Sequence, residues 1–189
     1  YNMCPKALEE KLIQAKVDGC LPKIVIPVHL TGQPCDMEQI FKLSKKYGFK
    51  IIEDASHAIG GKYKEDFIGS CQYSDITVFS FHPTKIITTG EGGAATTNSK
   101  NLAEQMKLYR TNGITKNPSS FSKKHANSPW YYEHQTIGFN YRMSELSAAL
   151  GLSQLSRIGK FTKERNSIAK KYKKLFKNLP VKLQKIEKF

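Results

Sequence analysis

Strand-like and helix-like segments alternate along most of this 189-residue chain. The strand-like runs are apolar or β-branched and span residues 23–28, 49–54, 76–80 and 93–97. The helix-like segments repeat apolar residues every three or four positions and span residues 6–17, 37–47, 99–110, 144–157 and 160–177. This alternation predicts an α/β fold, with a mainly parallel sheet flanked by helices.

Parallel sheets of this kind bind ligands at the carboxyl ends of their strands. Two strand ends are therefore of interest: Asp54, and the segment that follows Ser80. The polar and aromatic stretch over residues 111–135 predicts a long loop, and loops of that length are usually functional or mobile.

The first strand end carries Asp54 and, three residues later, His57. A carboxylate beside a pyridine nitrogen keeps that nitrogen protonated, so that the ring can accept electrons from a carbanion. An imidazole three residues away can stack on the face of such a ring. Taken alone the pattern is weak, because an Asp after a strand is more often a turn or helix-capping residue.

The second strand end leads into residues 80–85 (SFHPTK) and the glycine-rich segment 88–93 (TTGEGG). A proline-fixed turn and glycines let a ligand approach the backbone closely. Lys85 lies between them, and a lysine in such a place can form a Schiff base with an aldehyde. The alternative is a solvated surface lysine. The hydroxyl of Ser80 is suited to a phosphate.

Four separated motifs, in this order, resemble the nucleotide-sugar aminotransferases of the DegT/DnrJ/EryC1/StrS family, which are fold-type I enzymes dependent on pyridoxal phosphate (PLP). The motifs are residues 54–60 (DASHAIG), 80–85 (SFHPTK), 89–93 (TGEGG) and 138–143 (GFNYRM). The resemblance implies the central part of the fold-type I large domain. Residues 34–37 and 129–133 look most like the transaminases of pseudaminic acid biosynthesis.

The resemblance also implies roles for individual residues. Lys85 is the catalytic lysine that forms the Schiff base with PLP and shuttles the proton. Asp54 pairs with the pyridinium nitrogen, His57 covers the ring face and Ser80 holds the cofactor phosphate. Arg142 is a candidate for contacting substrate. The implied reaction moves an amino group from glutamate to C4 of a UDP-linked 4-keto-6-deoxy sugar.

Asn140 carries an implication for assembly, because in the family this position reaches the cofactor phosphate of the neighbouring subunit. The resemblance thus implies a homodimer with shared active sites. The helix predicted over residues 144–157 is apolar around most of its surface, so we expect it to be buried, partly against a second subunit. For His29 and His82 we expect structural roles with satisfied hydrogen bonds.

Charge and cysteine spacing narrow the classes of function. The 30 basic and 16 acidic residues give a net charge of +14, much of it on the late helical segment, where a solvated helix face explains it better than nucleic-acid binding. No apolar run reaches the roughly 18 residues of a membrane helix. The four scattered cysteines do not predict a zinc site, and free thiols indicate a reducing cytoplasm.

We predict a PLP-binding large domain over residues 1–159 and the start of a small domain over residues 160–189. The chain is expected to be a piece of a longer enzyme. Two rival functions remain: a PLP-dependent sugar dehydratase of the same family, in which His replaces the lysine at position 85, and a non-catalytic basic binding module that kept the fold.

Overall fold

A computed structural model describes residues 1–122 and 128–187 of the chain. Its strands are β1 (Ile24–Val25), β2 (Lys50–Asp54), β3 (Lys62–Tyr63), β4 (Asp66–Phe67), β5 (Ile76–Ser80), β6 (Gly93–Thr96), β7 (Ile114–Thr115) and β8 (Glu133–His134). Its α-helices are α1 (Pro5–Val17), α2 (Met37–Tyr47), α3 (Lys100–Arg110), α4 (Glu145–Leu155) and α5 (Ile158–Leu175). Two short 3-10 helices span Leu30–Gly32 and Pro118–Ser120.

The central sheet has the strand order β1-β2-β5-β6. β1, β2 and β5 are parallel, whereas β6 returns antiparallel to β5, so the predicted mainly parallel sheet is confirmed. The predicted strand over residues 23–28 is shorter than expected. It pairs over two residues, and Val28 forms a separate bridge to Asp54 after the buried Pro27.

Helix α2 begins and ends where its sequence indicates. The side chain of Asp36 accepts a hydrogen bond from the Gln39 amide and caps the first turn. Gly48 ends the helix in the left-handed conformation, with φ of 81°. The apolar face packs on the sheet, and Ile40 on that face is fully buried.

The main core lies between α1, α2 and the first two strands. Its buried members are apolar apart from the hydroxyl of a tyrosine: Leu12, Val25, Cys35, Met37, Ile40, Leu43, Phe49, Ile51 and Tyr63. Contact between α1 and α2 and between α2 and β2 fixes the helices on this side of the sheet. This packed layer of helices therefore fixes the positions of the strand ends that carry the candidate residues.

Helix α4 departs from expectation. It forms over the predicted segment, but none of its residues is buried, and the side chain of Leu146 is 86% exposed. The prediction that this helix is buried is wrong within the described chain. Its leucines are spread around the helix, so no single face gathers them for burial as the amphipathic α2 does.

The chain divides into two compact units. One unit comprises Tyr1–Asn98 with Glu145–Phe189, and the other comprises Ser99–Ser144. The second unit holds α3, the β7–β8 hairpin and the 3-10 helix Pro118–Ser120, so part of the predicted loop over residues 111–135 has regular structure. The remainder of that loop includes residues 123–127, which lie outside the described residues.

Candidate active site

Asp54 ends β2 and lies at the carboxyl edge of the sheet. Its backbone is held on one side by the Pro27 carbonyl, which accepts the Asp54 amide at 2.9 Å. On the other side β2 runs parallel to β5, with Asp54 opposite Val78, two residues before Ser80. The sheet thus brings Asp54 and Ser80 to neighbouring strand ends.

The Asp54 carboxylate is set in the ionised form. Partial burial acts to raise its pKa, but hydrogen bonds from Ser56, with a smaller contribution from the nearby histidines, outweigh burial, so the pKa lies below its ordinary value. The Ser56 amide donates to Asp54 Oδ1 at 3.0 Å. The Asp54 oxygen atoms therefore offer a fixed negative charge, as a partner for a protonated ring nitrogen requires.

His57 lies in the turn after β2 and is half-buried. The amide of Thr31 donates to His57 Nδ1 at 3.3 Å. Because Nδ1 accepts this bond, the neutral ring carries its proton on Nε2. The 3-10 turn at Leu30–Gly32 thus orients an imidazole that sequence reasoning had placed only by its spacing from Asp54.

Lys85 sits in a loop closed by backbone hydrogen bonds. The Phe81 amide donates to the Gly92 carbonyl at 2.8 Å, and the Lys85 amide donates to the His82 carbonyl at 2.9 Å. A Cβ at Gly93 would lie 2.7 Å from the Phe79 carbonyl oxygen, so only glycine permits the close return of β6 beside β5. The lysine is held on a defined turn and is half-buried.

Ser80 is half-buried at the end of β5, and its Oγ accepts a hydrogen bond from the His82 amide at 3.4 Å. His82 is exposed, and its Nδ1 lies 3.0 Å from Thr84 Oγ1. The His82 ring and the Ser80 hydroxyl both belong to the turn that leads to Lys85. This local bonding agrees with the structural role expected for His82.

A cleft of about 810 Å³ opens beside the strand ends. His57 and Lys85 both line it, and Asp54 and Ser80 do not. Sequence reasoning missed three further lining residues on α5, Thr162, Arg165 and Asn166, whose polar stripe was assigned to a solvated face. Their three- and four-residue spacing, which places them on one side of a helix, is the signal that identifies them.

A buried polar network supports the strand that ends at Asp54. His29 is fully buried, its Nε2 lies 2.7 Å from Glu53 Oε2, and its Nδ1 accepts the Cys35 amide at 3.2 Å. Glu53 also accepts hydrogen bonds from the hydroxyls of Ser74 and Thr77. The structural role predicted for His29 is confirmed, whereas the sequence did not identify Glu53 as its partner.

Asn140 and Arg142 belong to the unit Ser99–Ser144. Asn140 forms an antiparallel bridge with Thr111, and both Asn140 and Arg142 are exposed. Within this motif the rings of Phe139 and Tyr141 stack with centroids 4.9 Å apart. The motif is therefore an ordered edge that presents polar side chains to solvent.

The model of the DegT/DnrJ/EryC1/StrS aminotransferase family matches residues 1–188. The chain belongs to this family. The family resemblance predicted from four motifs is thus confirmed, as is the α/β fold of fold-type I enzymes.

The chain is similar to a UDP-4-amino-4,6-dideoxy-N-acetyl-beta-L-altrosamine transaminase of Campylobacter jejuni, with 37% identity over 93% of this chain and 43% of the relative. It is also similar to a GDP-perosamine synthase of Escherichia coli O157:H7, with 40% identity over 83% of this chain and 39% of that relative. Among solved structures it resembles Helicobacter pylori PseC, an aminotransferase involved in the biosynthesis of pseudoaminic acid, with a TM-score of 0.82, 35% identity, and coverage of 95% of this chain and 43% of that one.

The chain spans less than half the length of the curated relatives it matches. The donor set of this chain fits the PLP that such enzymes use. An ionised carboxylate and a hydroxyl lie at adjacent strand ends, and a primary amine and an imidazole line one cleft beside them. Among the residues described, none of the helices combines the length and apolarity needed to cross a membrane.

Proposed function

We propose that this chain provides the PLP-binding core of an aminotransferase that acts on nucleotide sugars. The observation that carries the proposal is the shared cleft of His57 and Lys85, beside the strand ends of Asp54 and Ser80. Family membership supports it, because the matching model is that of an aminotransferase family. When bound, PLP supplies an electron sink for negative charge on a substrate carbon.

Asp54 holds the ring nitrogen of the cofactor in its protonated form. Its carboxylate is fixed by Ser56 and keeps its charge because its pKa is lowered. A carboxylate near a pyridine nitrogen favours the protonated ring. His57, whose Nδ1 accepts a hydrogen bond from the Thr31 amide, would cover the face of the ring. Ser80 donates its hydroxyl to the cofactor phosphate.

Lys85 is the catalytic residue. Its Nζ would hold the cofactor at the aldehyde group, and as a free amine it would take and return a proton at the reacting carbon of the substrate. The loop between Phe81 and Gly92 holds the lysine at the cleft. Because position 85 is a lysine rather than the histidine of the related dehydratases, amino transfer is the reaction that this site supports.

For the substrates we propose a UDP-linked 4-keto-6-deoxy sugar as amino acceptor and glutamate as donor. The similarity to UDP-sugar transaminases supports UDP, whereas the similarity to GDP-perosamine synthases makes a GDP sugar the competing choice. The test is amino transfer from glutamate to the UDP- and GDP-linked forms of one 4-keto-6-deoxy sugar, measured by mass spectrometry. A higher kcat/KM with the UDP form supports the proposal, and a higher value with the GDP form contradicts it.

We further propose a homodimer in which Asn140 serves the partner's cofactor phosphate, and in which Arg142 contacts substrate. Exposure of Asn140 and of the α4 leucines supports an isologous contact. Homodimers of Lys85→Ala and of Asn140→Ala should each be impaired. Mixed dimers should regain activity, because one of their two sites is intact. Proven mixed dimers without recovery would contradict a shared site.

Two further assignments complete the proposal. The small domain begins near residue 160, in the first turn of α5. The enzyme works in the cytoplasm, where exposed thiols such as those of Cys4 and Cys20 stay reduced.

A further inference from the structure

Helix α5 forms part of the wall of the cleft that Lys85 lines. Thr162, Arg165 and Asn166 lie on the side of α5 that lines the cleft, since residues three and four positions apart share a helix face. The helix packs tightly against the turn after His57. A Cβ at Gly60 would lie 3.0 Å from Ile158 Cδ1 and 3.2 Å from Thr162 Oγ1. This packing fixes the wall of the cleft to residues 54–60, the motif that also contains His57.

The charges that line this cleft are mostly positive. Lys62, Lys85 and Arg165 line it together with one acidic side chain, that of Glu187. Glu187 Oε1 is engaged 2.7 Å from Lys185 Nζ. Arg165 is exposed on α5, and among the described residues its guanidinium has neither an ion pair nor a hydrogen bond. An unpaired guanidinium in a positive cleft favours an anion, which it can bind through two parallel hydrogen bonds.

Thr162 gives an independent sign of a missing partner. Its Oγ1 is buried and has no hydrogen-bond partner among residues 1–122 and 128–187. A buried hydroxyl without a partner is costly, so such groups are usually satisfied by water or by a ligand. The hydroxyl lies one helical turn from Arg165 and lines the same cleft. The hydroxyl now lies against Gly60, and a rotation of the Thr162 side chain would let it donate to an oxygen atom that Arg165 also binds.

We propose that Thr162, Arg165 and Asn166 form an anion subsite in the cleft of Lys85. The subsite binds charged oxygen atoms of a substrate, either the diphosphate of the nucleotide sugar or a carboxylate of the amino donor. This inference rests on the proposed aminotransferase function for the identity of the anion. The guanidinium supplies the paired hydrogen bonds, and the hydroxyl and the amide fix the orientation.

The test measures binding to the PLP-loaded protein by calorimetry, with UDP and 2-oxoglutarate as separate probes. Arg165→Gln should weaken at least one probe by about tenfold, the loss expected for a charge-assisted hydrogen bond. Arg165→Lys should lose less, because it keeps the charge without the planar fork. Lys163→Gln is the matched control, since its side chain lies two residues, or about 200°, around the helix from Arg165.

The pattern of losses identifies the anion. A loss for UDP assigns the diphosphate, a loss for 2-oxoglutarate assigns the carboxylate, and a loss for both assigns a shared subsite. Binding of both probes within twofold of the unaltered protein would overturn the subsite, as would an equal loss in Lys163→Gln. Covalent labelling of Lys85 is mapped in the same protein. A label on Lys85 together with unchanged anion binding would overturn the subsite but not the proposed function, since anion binding does not depend on that label.

Discussion

Helices α2 and α4 have the same length but differ in how much of each is buried. Each spans eleven residues, yet α2 buries Met37, Ile40 and Leu43 while α4 buries no residue at all. α4 is the more apolar of the two, and Leu146 and Leu152 remain 86% and 70% exposed. Apolar content therefore did not decide burial in this chain.

The difference lies in how the apolar residues are arranged. On α2 they repeat at positions 37, 40 and 43, which makes one face that the sheet can cover, with charged residues opposite. On α4 the leucines surround the axis and stay exposed, and the side of the helix that packs on the chain carries small residues such as Gly151, next to Thr89. A helix of that kind gains stability only from surfaces on more than one side. A second subunit would supply such surfaces. Because α4 directly follows the motif that carries Asn140, the proposed dimer contact includes both.

The largest effect on stability should come from the α2 face. Ile40→Ala removes a fully buried side chain and leaves a cavity in the main core, so the free energy of unfolding should fall by about 3 kcal/mol. Chemical denaturation monitored by circular dichroism provides the measurement. A loss below about 1 kcal/mol would show that the core repacks around the site, and would weaken the contrast with α4.

Asp54→Asn tests function at the end of the packed sheet. Without the carboxylate the cofactor ring loses its proton, and the rate of amino transfer should fall by about a hundredfold, the size typical of losing one preorganised charge interaction. Folding should be little changed, because Asp54 is only partly buried and its backbone bonds remain. Turnover near that of the unaltered enzyme would mean that another acid holds the ring nitrogen.

Glu53→Gln should destabilise the same sheet by about 2 kcal/mol through the buried network. An amide has one acceptor oxygen in place of two: with that oxygen towards His29 Nε2, its N–H groups face the hydroxyls of Ser74 and Thr77. These hydroxyls lose the carboxylate that accepts their hydrogen bonds, so two charge-assisted bonds are lost from the buried network. Denaturation at neutral pH measures the loss, and an unchanged midpoint would show that water enters the network.

The pH dependence of the free energy of unfolding tests whether the ionised Glu53 carboxylate stabilises the fold. Burial acts to raise the pKa of Glu53, but hydrogen bonds from His29 and Ser74 outweigh it, so the pKa lies below its ordinary value of 4.5. A carboxyl with a lowered folded pKa stabilises above pH 4.5, and this stability is lost as the pH falls through the folded pKa. The decline in stability as the pH falls below 4.5 should be shallower in Glu53→Gln than in the unaltered protein.

The smallest effect should come from α4. Leu146→Ala removes a side chain that is mostly in solvent, so the free energy of unfolding of a single chain should change by less than about 0.5 kcal/mol. The same change should weaken self-association, measured by analytical ultracentrifugation, if α4 forms the dimer contact. A large loss of stability in the monomer would contradict the exposed position of this helix.

Local patterns predicted most of the elements. The helix of Met37–Tyr47 and the strand of Ile76–Ser80 lie where capping residues and β-branched runs indicated. The β3–β4 and β7–β8 hairpins were missed, because two-residue strands carry too little periodicity to detect. The prediction of a buried α4 is wrong within the described single chain, since hydrophobicity alone does not say whether a covering surface is present. Its burial against a second subunit stays a prediction.

The candidate site also contains residues that the sequence predicted and residues that it did not. Asp54, His57 and Lys85 are close in sequence to strand ends, where the topology of a parallel sheet makes position predictable. Arg165 was missed because its place in the cleft depends on how α5 docks against Gly60, a contact between distant parts of the chain. Long-range packing of that kind leaves no local signature in sequence.

Reductive labelling shows which lysine binds the cofactor. The PLP-loaded protein is reduced with borohydride, digested and mapped by mass spectrometry, with Lys85→Ala as the control. We expect a pyridoxyl label on the peptide that contains Lys85, and no label in the variant. A label on another lysine, such as Lys62 in the same cleft, or a persistent label in Lys85→Ala, would contradict the assignment.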